Sequence, residues 1–324
     1  MPDRLTIVLS RCCSCSLGIA IVPLGWSLTI ATFTLLPFPA LAETPPLLSP
    51  TAELFQTATG SQVDFPALIT ALTAADIVYL GEIHDNPGDH QAQLAILQAL
   101  HGQNPKIAMV GDQPKVAIAM EMFQQPYQPV LDAYLAGEIT LAELRQQSDY
   151  DQRWGYAWDD YAPILEFARQ EGVPLIALNA PSEAVRLVAR QGLQALNSQD
   201  FPTLPPLSSI DLSNQSYRDL LRRLYDDMHQ GHGSSAGFDF FFQAQVLWDE
   251  TMADRIAQFH TDHPDTQVVV LAGQGHIIYG YGIPDRLQRR HPDISQATVL
   301  LSPATGWPAG EGVRADWEGV INRR

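Results

Sequence analysis

Two short stretches of the sequence place acids and histidines directly after an apolar run. The first, VYLGEIHDNPGDHQ, carries Glu82, His84 and His90, and the second, VVVLAGQGHIIYGYG, carries His276. Both contain a Gly-x-x-His spacing, and a third apolar run, in PKVAIAMEMF, ends at Glu121. Paired imidazoles and carboxylates suit a divalent metal or general acid–base catalysis. The sequence therefore predicts a chemically active site built from these residues.

The elements that must position these residues alternate between apolar strands and amphipathic helices. Continuous apolar runs of strand length are typical of parallel sheets that are buried on both faces. Strand–helix alternation along the chain predicts an α/β fold with a largely parallel central sheet and helices on both faces. The predicted strands lie near residues 77–80, 114–121, 173–179, 266–273 and 297–301.

The polar residues follow the carboxyl ends of these predicted strands. Ligands of open parallel sheets bind in a crevice outside those ends, so we expect the two Gly-x-x-His stretches to meet there. Asn179 ends a further predicted strand at the same edge. The glycines would allow unusual dihedrals or a close approach of the backbone. Glu82 and His84 could instead cap the following helix, and His276 could be a hydrogen-bonded core histidine.

Several other residues have a structural and a functional interpretation. His90 is either a surface helix residue or part of the site, and Tyr279 and Tyr281 are either packing residues or axial iron ligands. Arg186 lies either on a solvated helix face or against a ligand carboxylate. The aromatic residues in RWGYAWDDY form either core or the wall of a flat apolar pocket. Two histidines, His229 and His232, lie in a Gly/Ser-rich stretch and either face solvent or contact a ligand.

The N-terminus resembles a secretory signal. Arg4 and Arg11 precede an uncharged segment that ends in an A-x-A pattern at residues 40–42. We therefore expect residues 1–42 to be a signal peptide cleaved after Ala42, with an uncleaved membrane anchor as the alternative. The protein would then be exported and periplasmic or membrane-associated. We predict a flexible lead-in at residues 43–60 and a single α/β domain at 61–324.

The charge of the chain limits its partners. The 324 residues include 36 acidic and 19 basic ones, with a formal net charge of −17. Such a surface repels phosphate backbones and anionic lipid, so we expect no nucleic-acid partner and membrane contact only through an uncleaved N-terminus. The three cysteines all lie within the predicted signal, which excludes thiolate chemistry from the mature chain. A small-molecule ligand is the expected partner.

Seven motifs together resemble the ChaN-like haem-binding family, which is grouped with the Tiki metalloproteases and the erythromycin esterases. The resemblance extends from about Phe65 to Arg290, and an insertion near residues 105–115 and the absence of a lipobox depart from it. The motifs are LGEIHDN, AMEMF, YDQRWGYAWDDYAPIL, LNAP, VARQGL, AQVLWDETMA and VVLAGQGHIIYGYGIPDR.

The resemblance implies an exported haem-binding protein that acts in haem or iron uptake, and we add a homodimer as an expectation. Haem needs an apolar slot, an axial His or Tyr, and cations for its propionates. The candidate haem-binding residues are His84, His90, His276, Tyr279, Tyr281 and Arg186. The alternative is a metal-dependent or general-base hydrolase, as in the enzymatic relatives. Its catalytic and metal-binding residues would be Glu82, His84, Glu121 and His276.

Overall fold

The computed structural model describes residues 52–103, 116–197, 199–228, 235–303, 310 and 313–321. The predicted signal peptide, the insertion at 105–115, and His229 and His232 lie outside the described residues. Within them the chain forms eight strands, which are β1 (Ala52–Gln56), β2 (Ser61–Val63), β3 (Ile77–Glu82), β4 (Val116–Gln124), β5 (Leu175–Asn179), β6 (Gln267–Gly273), β7 (Gln296–Leu300) and β8 (Trp317–Ile321).

Helices connect the strands of the sheet. They are α1 (Phe65–Leu72), α2 (Pro87–Gln103), α3 (Gln128–Leu135), α4 (Leu141–Gln147), α5 (Tyr150–Arg153), α6 (Trp158–Glu171), α7 (Ser182–Gln191), α8 (Gln215–Met228), α9 (Ser235–Asp262) and α10 (Ile283–Arg290). Two short 3₁₀ turns, Gln274–His276 and Ile278–Gly280, follow β6. No helix in the described part of the chain is long and apolar enough to cross a membrane.

Local sequence signals explain where several helices begin and end. The Asp64 side chain accepts a hydrogen bond from the backbone N–H of Ala67 and so caps α1. At the start of α4, Thr140 and Glu143 form the reciprocal hydrogen bonds of a capping box. Helix α6 ends at Gly172, which adopts the left-handed conformation that glycine tolerates.

The strands form one mixed sheet in the order β2-β1-β8-β7-β3-β6-β4-β5. The strands from β8 to β5 in this order pair in parallel, which confirms the predicted α/β fold with a largely parallel sheet. At the other end β1 pairs antiparallel with β8 and β2. Part of the predicted lead-in, residues 52–56, is thus a strand of the sheet.

Both faces of the parallel strands are covered by helices. Alternate residues of β3 point to opposite faces, so Val78 and Leu80 pack in one apolar layer and Ile77 and Tyr79 in the other. The first layer is formed with α1, α2, α3, α4 and α6, and the second with α8, α9 and α10. This double coverage is the physical reason for the continuous apolar runs in the sequence.

Candidate functional site

The two Gly-x-x-His stretches meet because their strands are neighbours. Strand β6 lies between β3 and β4, so Glu82 at the end of β3 is paired with Gly273 at the end of β6. On the other side of β6, Met120 of β4 pairs with Leu271, and Glu121 follows directly. Three strand ends therefore bring their polar residues to one edge of the sheet, as the sequence predicts.

Strand β4 differs from the prediction at this point. We expected it to end at Glu121, whereas it continues to Gln124 with a shift of register against β5 between Met120 and Gln124. Glu121 lies within this irregularity. A local irregularity of this kind re-aims side chains, and it accompanies the turn of the Glu121 carboxylate towards β6.

A side chain at either glycine of the Gly-x-x-His stretches would come too close to a neighbouring side chain. A Cβ atom on Gly273 would lie 2.7 Å from Nε2 of His84 and 3.6 Å from Oε2 of Glu121. A Cβ atom on Gly81 would lie 2.8 Å from a methyl carbon of Leu300. The backbone of Gly273 is ordinary extended chain, with φ of −60°, so contact rather than an unusual dihedral excludes a side chain there.

The first half of the site is the His84 arm, which consists of Tyr161, Glu82 and His84. Glu82 is buried, and its Oε1 accepts hydrogen bonds from Nδ1 of His84 at 2.8 Å and from the hydroxyl of Tyr161 at 2.5 Å. Burial raises the pKa of Glu82, but the bonds and charges of His84 and His90 outweigh burial and lower this pKa to about 2. The carboxylate is therefore ionised and holds the histidine by its Nδ1 proton.

His90 supports the His84 arm from α2. Its Nε2 donates to the backbone oxygen of His84 at 3.1 Å, and its Nδ1 faces Oε1 of Gln93 at 3.3 Å and Oε2 of Glu82 at 3.5 Å. Gln93 also donates to Oε2 of Glu82 at 2.6 Å. Burial lowers the pKa of His90, but Glu82 outweighs it and raises the pKa to about 9. His90 is therefore a buried cation that binds Glu82 rather than a surface residue.

The second half of the site is the His276 arm, which consists of Tyr217, Asp249 and His276. Nδ1 of His276 donates to Oδ1 of Asp249 at 2.7 Å, and the hydroxyl of Tyr217 donates to Oδ2 at 2.8 Å. Nε2 of His276 faces Oε1 of Glu121 at 3.4 Å. Burial lowers the pKa of His276, but the charges of Glu121 and Asp249 outweigh burial and raise the pKa to about 10.

Glu121 joins the two arms. Its Oε2 accepts the backbone N–H of Gly273 at 2.7 Å, and its other oxygen faces His276. Burial raises the pKa of Glu121, but the charges of His276 and His84 outweigh burial and lower it. Burial lowers the pKa of His84, but the hydrogen bond to Glu82 and the charge of Glu121 outweigh burial and raise it. The carboxylates and histidines thus form one electrostatically coupled group.

An aromatic wall flanks His84 on the solvent side. The ring of Trp154 lies edge-on at 4.9 Å from the His84 ring, and the ring of Tyr156 lies at 4.6 Å. Tyr156 is 40% exposed, which makes it one of the more exposed large apolar side chains in the described part of the chain. The core interpretation of the aromatic motif holds for Trp158 and Tyr161, which are buried in the hydrophobic core. Trp154 and Tyr156 form a wall beside a histidine.

The remaining candidate residues are two tyrosines, one arginine and one asparagine. Tyr279 and Tyr281 stack on each other at 5.5 Å, and Tyr281 packs against Tyr217 in the layer of α8 to α10. Arg186 is exposed on α7, where its guanidinium donates to the backbone oxygen and the hydroxyl of Ser182. Asn179 is at the predicted edge, because its amide donates to the backbone oxygen of Glu121 at 2.9 Å.

The predicted divalent metal site is not supported. In the part of the chain that the structure describes, no group of three or more His, Cys, Asp or Glu side chains is arranged to hold a metal ion. The four predicted ligands, Glu82, His84, Glu121 and His276, instead bond within the two arms. Carboxylates that already accept hydrogen bonds from imidazoles and hydroxyls have few lone pairs left for a metal.

Sequence reasoning missed three residues that complete the site. Tyr161 appeared only within an aromatic motif, and Tyr217 and Asp249 were not considered for the site. All three are fully buried polar side chains on helices. An aspartate directly after VLW on an apolar helix is one available signal, because a buried carboxylate is nearly always paired.

Comparison with a family model shows which protein family the chain belongs to. The model described as "Haem-binding uptake, Tiki superfamily, ChaN" matches residues 68–287, which is more than half of the 324 residues. The chain belongs to this family. The resemblance found in the sequence motifs is therefore confirmed, and this ChaN-family chain carries both Gly-x-x-His stretches within the matched region.

A solved structure and a plant protein are also similar to this ChaN-family chain. The structure described as "Cofacial heme binding to ChaN of Campylobacter jejuni" has a TM-score of 0.65 at 21% identity and covers 84% of this chain and 97% of that chain. "Protein RETICULATA-RELATED 5, chloroplastic" of Arabidopsis thaliana is 29% identical over 254 residues, which are 74% of this chain. The match spans only 33% of the plant protein.

An erythromycin esterase structure is a weaker match. The mutant EreC, in its open conformation, has a TM-score of 0.43 at 15% identity and covers 82% of this chain and 83% of that chain. Similarity at this level does not bear on function. The comparisons therefore confirm the haem-binding family and the fold, and they do not favour the predicted hydrolase alternative.

Proposed function

We propose that this chain binds haem and that His84 supplies the axial ligand. The family match supports haem as the ligand. The observation that selects His84 is the state of its ring: Nδ1 is held by Glu82, and no hydrogen bond to Nε2 is found among the described residues. A histidine anchored through one nitrogen by a carboxylate presents the other nitrogen in a fixed direction, as metal-ligating histidines do.

The other two histidines of the site are poor candidates for an axial ligand. His276 faces Asp249 with Nδ1 and Glu121 with Nε2, and both partners are hydrogen-bond acceptors. His90 faces a backbone oxygen with Nε2 and acceptor oxygens with Nδ1. An imidazole that donates from both nitrogens has no lone pair for iron. Only 9% of the His276 side chain is exposed, against 22% for His84.

The surroundings of His84 fit a flat apolar ligand. Trp154 and Tyr156 provide an aromatic surface beside the ring, and the porphyrin is the type of ligand that such a surface binds. When bound, haem would supply iron for coordination. The propionates need cations, and we propose Arg186, which is exposed on α7, the helix that follows the carboxyl end of β5. Tyr279 and Tyr281 are the alternative axial ligands.

Titration of the apoprotein with haemin tests this proposal. We expect a saturable shift of the Soret band at micromolar haemin. The His84→Ala variant should alter the shape and position of the bands, since the spectrum of haem depends on its axial ligand. Tyr279→Phe and Tyr281→Phe should leave the bands unchanged.

His101 provides a matched control. Its side chain is 26% exposed, its Nε2 lies 3.5 Å from a carboxylate oxygen of Glu171, and its ring lies edge-on at 5.8 Å from Phe167. It therefore resembles His84 in exposure, charge partner and aromatic neighbour, at another place on the fold. His101→Ala should bind haemin with the spectrum of the wild type. If His84→Ala and the wild type gave the same spectrum, His84 would not be the axial ligand.

We also propose that the protein is exported and handles haem for iron uptake, as a homodimer in its haem-bound state. The A-x-A pattern at residues 40–42 supports cleavage, and intact-mass analysis of the exported protein should show a chain that begins at Glu43. The Campylobacter jejuni ChaN is described as binding haem cofacially, which means that two haem groups lie face to face. In a homodimer of this chain, each copy would supply one of the two haem groups. Light scattering with and without haemin should show a doubling of mass on binding.

A further inference from the structure

The two arms of the site are built in the same way from opposite sides of the sheet. In each arm a buried tyrosine hydroxyl donates to a buried carboxylate, and that carboxylate accepts the Nδ1 proton of a Gly-x-x-His histidine. The tyrosine of the His84 arm comes from α6, in one helical layer. The tyrosine and carboxylate of the His276 arm come from α8 and α9, in the other layer.

The arms differ in what the second histidine nitrogen faces. In the His84 arm it lies against Gly273, beside the aromatic wall. In the His276 arm it faces Glu121 at 3.4 Å. Glu121 in turn accepts the backbone N–H of Gly273 at 2.7 Å. A continuous series of polar contacts therefore leads from Tyr217 on α8 to the strand end against which His84 packs.

Asp249 controls the orientation of the His276 ring in this series. Nδ1 of an imidazole must face an acceptor if it carries a proton, and Asp249 is an acceptor at 2.7 Å. The hydroxyl of Tyr217 occupies the second oxygen of Asp249, and the guanidinium of Arg286 lies 5.2 Å from the Tyr217 ring centroid. Tyr217 and Asp249 are fully buried, so solvent cannot replace either partner without local opening.

We propose that Tyr217 and Asp249 are positioning residues that act through His276 on Glu121. They hold the ring with Nδ1 on Asp249 so that Nε2 meets Glu121, and Glu121 is thereby held on the N–H of Gly273. The position of the strand end against which His84 packs then depends on α8 and α9, which belong to the other helical layer from Tyr161 of the His84 arm. The proposal does not depend on haem binding, and its test uses the protein without haem.

Nuclear magnetic resonance of 15N-histidine-labelled, full-length folded protein tests the proposal. The Nδ1 proton of His276 should give a slowly exchanging resonance far downfield, as expected for a short hydrogen bond to a buried carboxylate. In Asp249→Asn the neutral amide oxygen is a weaker acceptor than the carboxylate, so this resonance should move upfield and exchange faster with solvent. The backbone amide proton of Gly273 should then exchange about tenfold faster, a factor that corresponds to about 1.4 kcal/mol, because Glu121 no longer stays in place.

Asp254→Asn is the matched control for this change. Asp254 lies on the same helix, α9, and its carboxylate accepts from Gln258 at 2.6 Å and lies 3.5 Å from Nε of Arg290. The control should retain the His276 resonance and the exchange rate of Gly273. A His276 resonance with unchanged position and exchange rate in Asp249→Asn would overturn the proposal. An upfield shift of this resonance with unchanged exchange at Gly273 would overturn it as well, since Asp249 would then not act on Glu121.

Tyr217→Phe decides the matter if Asp249→Asn fails to fold. This variant removes one hydroxyl and keeps the ring that packs against Phe242 and Arg286. Asp249 loses one donor and attracts the remaining proton more strongly, so the Nδ1 resonance of His276 should move further downfield. An unchanged resonance would show that Tyr217 does not act on Asp249 and would overturn the proposal.

Discussion

Substitution of Gly273 by alanine tests the packing of the two Gly-x-x-His stretches. The new Cβ atom would lie 2.7 Å from Nε2 and 2.8 Å from Cε1 of His84, which are distances that real Cβ contacts do not show. The His84 ring cannot turn aside freely, because its Nδ1 is bonded to Glu82 and its faces contact Trp154 and Tyr156. We expect the substitution to break the bond between His84 and Glu82.

The magnitude follows from that bond. A hydrogen bond to a charged group contributes about 1.5–3 kcal/mol, and forced displacement of a packed side chain costs about 1–3 kcal/mol. Because His84 is partly exposed, some of this cost is relieved by solvent. We expect Gly273→Ala to lower the free energy of unfolding by about 2 kcal/mol. Urea denaturation at neutral pH measures the change, provided that the m-value is unaltered.

Gly102→Ala is the control, with the opposite expected sign. Gly102 lies in α2, and a Cβ atom there would meet no atom within 4 Å. Alanine in a helix is more stable than glycine by up to about 1 kcal/mol, so this variant should gain stability. In a His84→Ala background, Gly273→Ala should have no further cost, since the ring is absent. A Gly273→Ala variant within about 0.5 kcal/mol of the wild type would refute the packing argument.

Three further predictions concern stability. The pKa of Glu82 is lowered from 4.5 to about 2, so its contribution of roughly 3 kcal/mol to the free energy of unfolding is present above pH 4.5 and is lost as pH falls through 2. In Glu82→Gln, the free energy of unfolding measured by urea denaturation should therefore change less between pH 4.5 and pH 2. The pKa of His90 is raised from 6.5 to about 9, so its contribution to the free energy of unfolding is present below pH 6.5 and is lost as pH rises through 9. In His90→Gln, this loss of stability between pH 6.5 and pH 9 should disappear. Thr140→Ala should cost about 1 kcal/mol at any pH from 5 to 9, measured by the same method, because the capping box is lost.

The parallel part of the sheet was predictable because its signal is local. Runs such as IVYL in β3 and VVVLA in β6 are apolar at every position, and this pattern is typical of strands that helices cover on both faces. Helix boundaries at Asp64, Thr140 and Gly172 were also predictable, since each depends on a bond or dihedral within one helical turn.

The antiparallel end of the sheet was not predictable. Strands β1, β2 and β8 are three to five residues long and lack a continuous apolar run. Strand β1 pairs with β8 from the far end of the chain, with Ala52 opposite Ile321. Such pairing depends on contacts between residues that are far apart in the sequence, so the local sequence of each strand does not predict it.

The sequence by itself determined that Glu82, His84, Glu121 and His276 lie at or near the carboxyl ends of strands, at one edge of a parallel sheet. It also carried the motifs of the haem-binding family. Only the tertiary structure decided that β6 lies between β3 and β4 and that Tyr161, Tyr217 and Asp249 complete the two arms. The reason is physical. A strand end is a property of local residues, whereas the partner of a buried side chain depends on which helix packs there and on its rotation about its own axis.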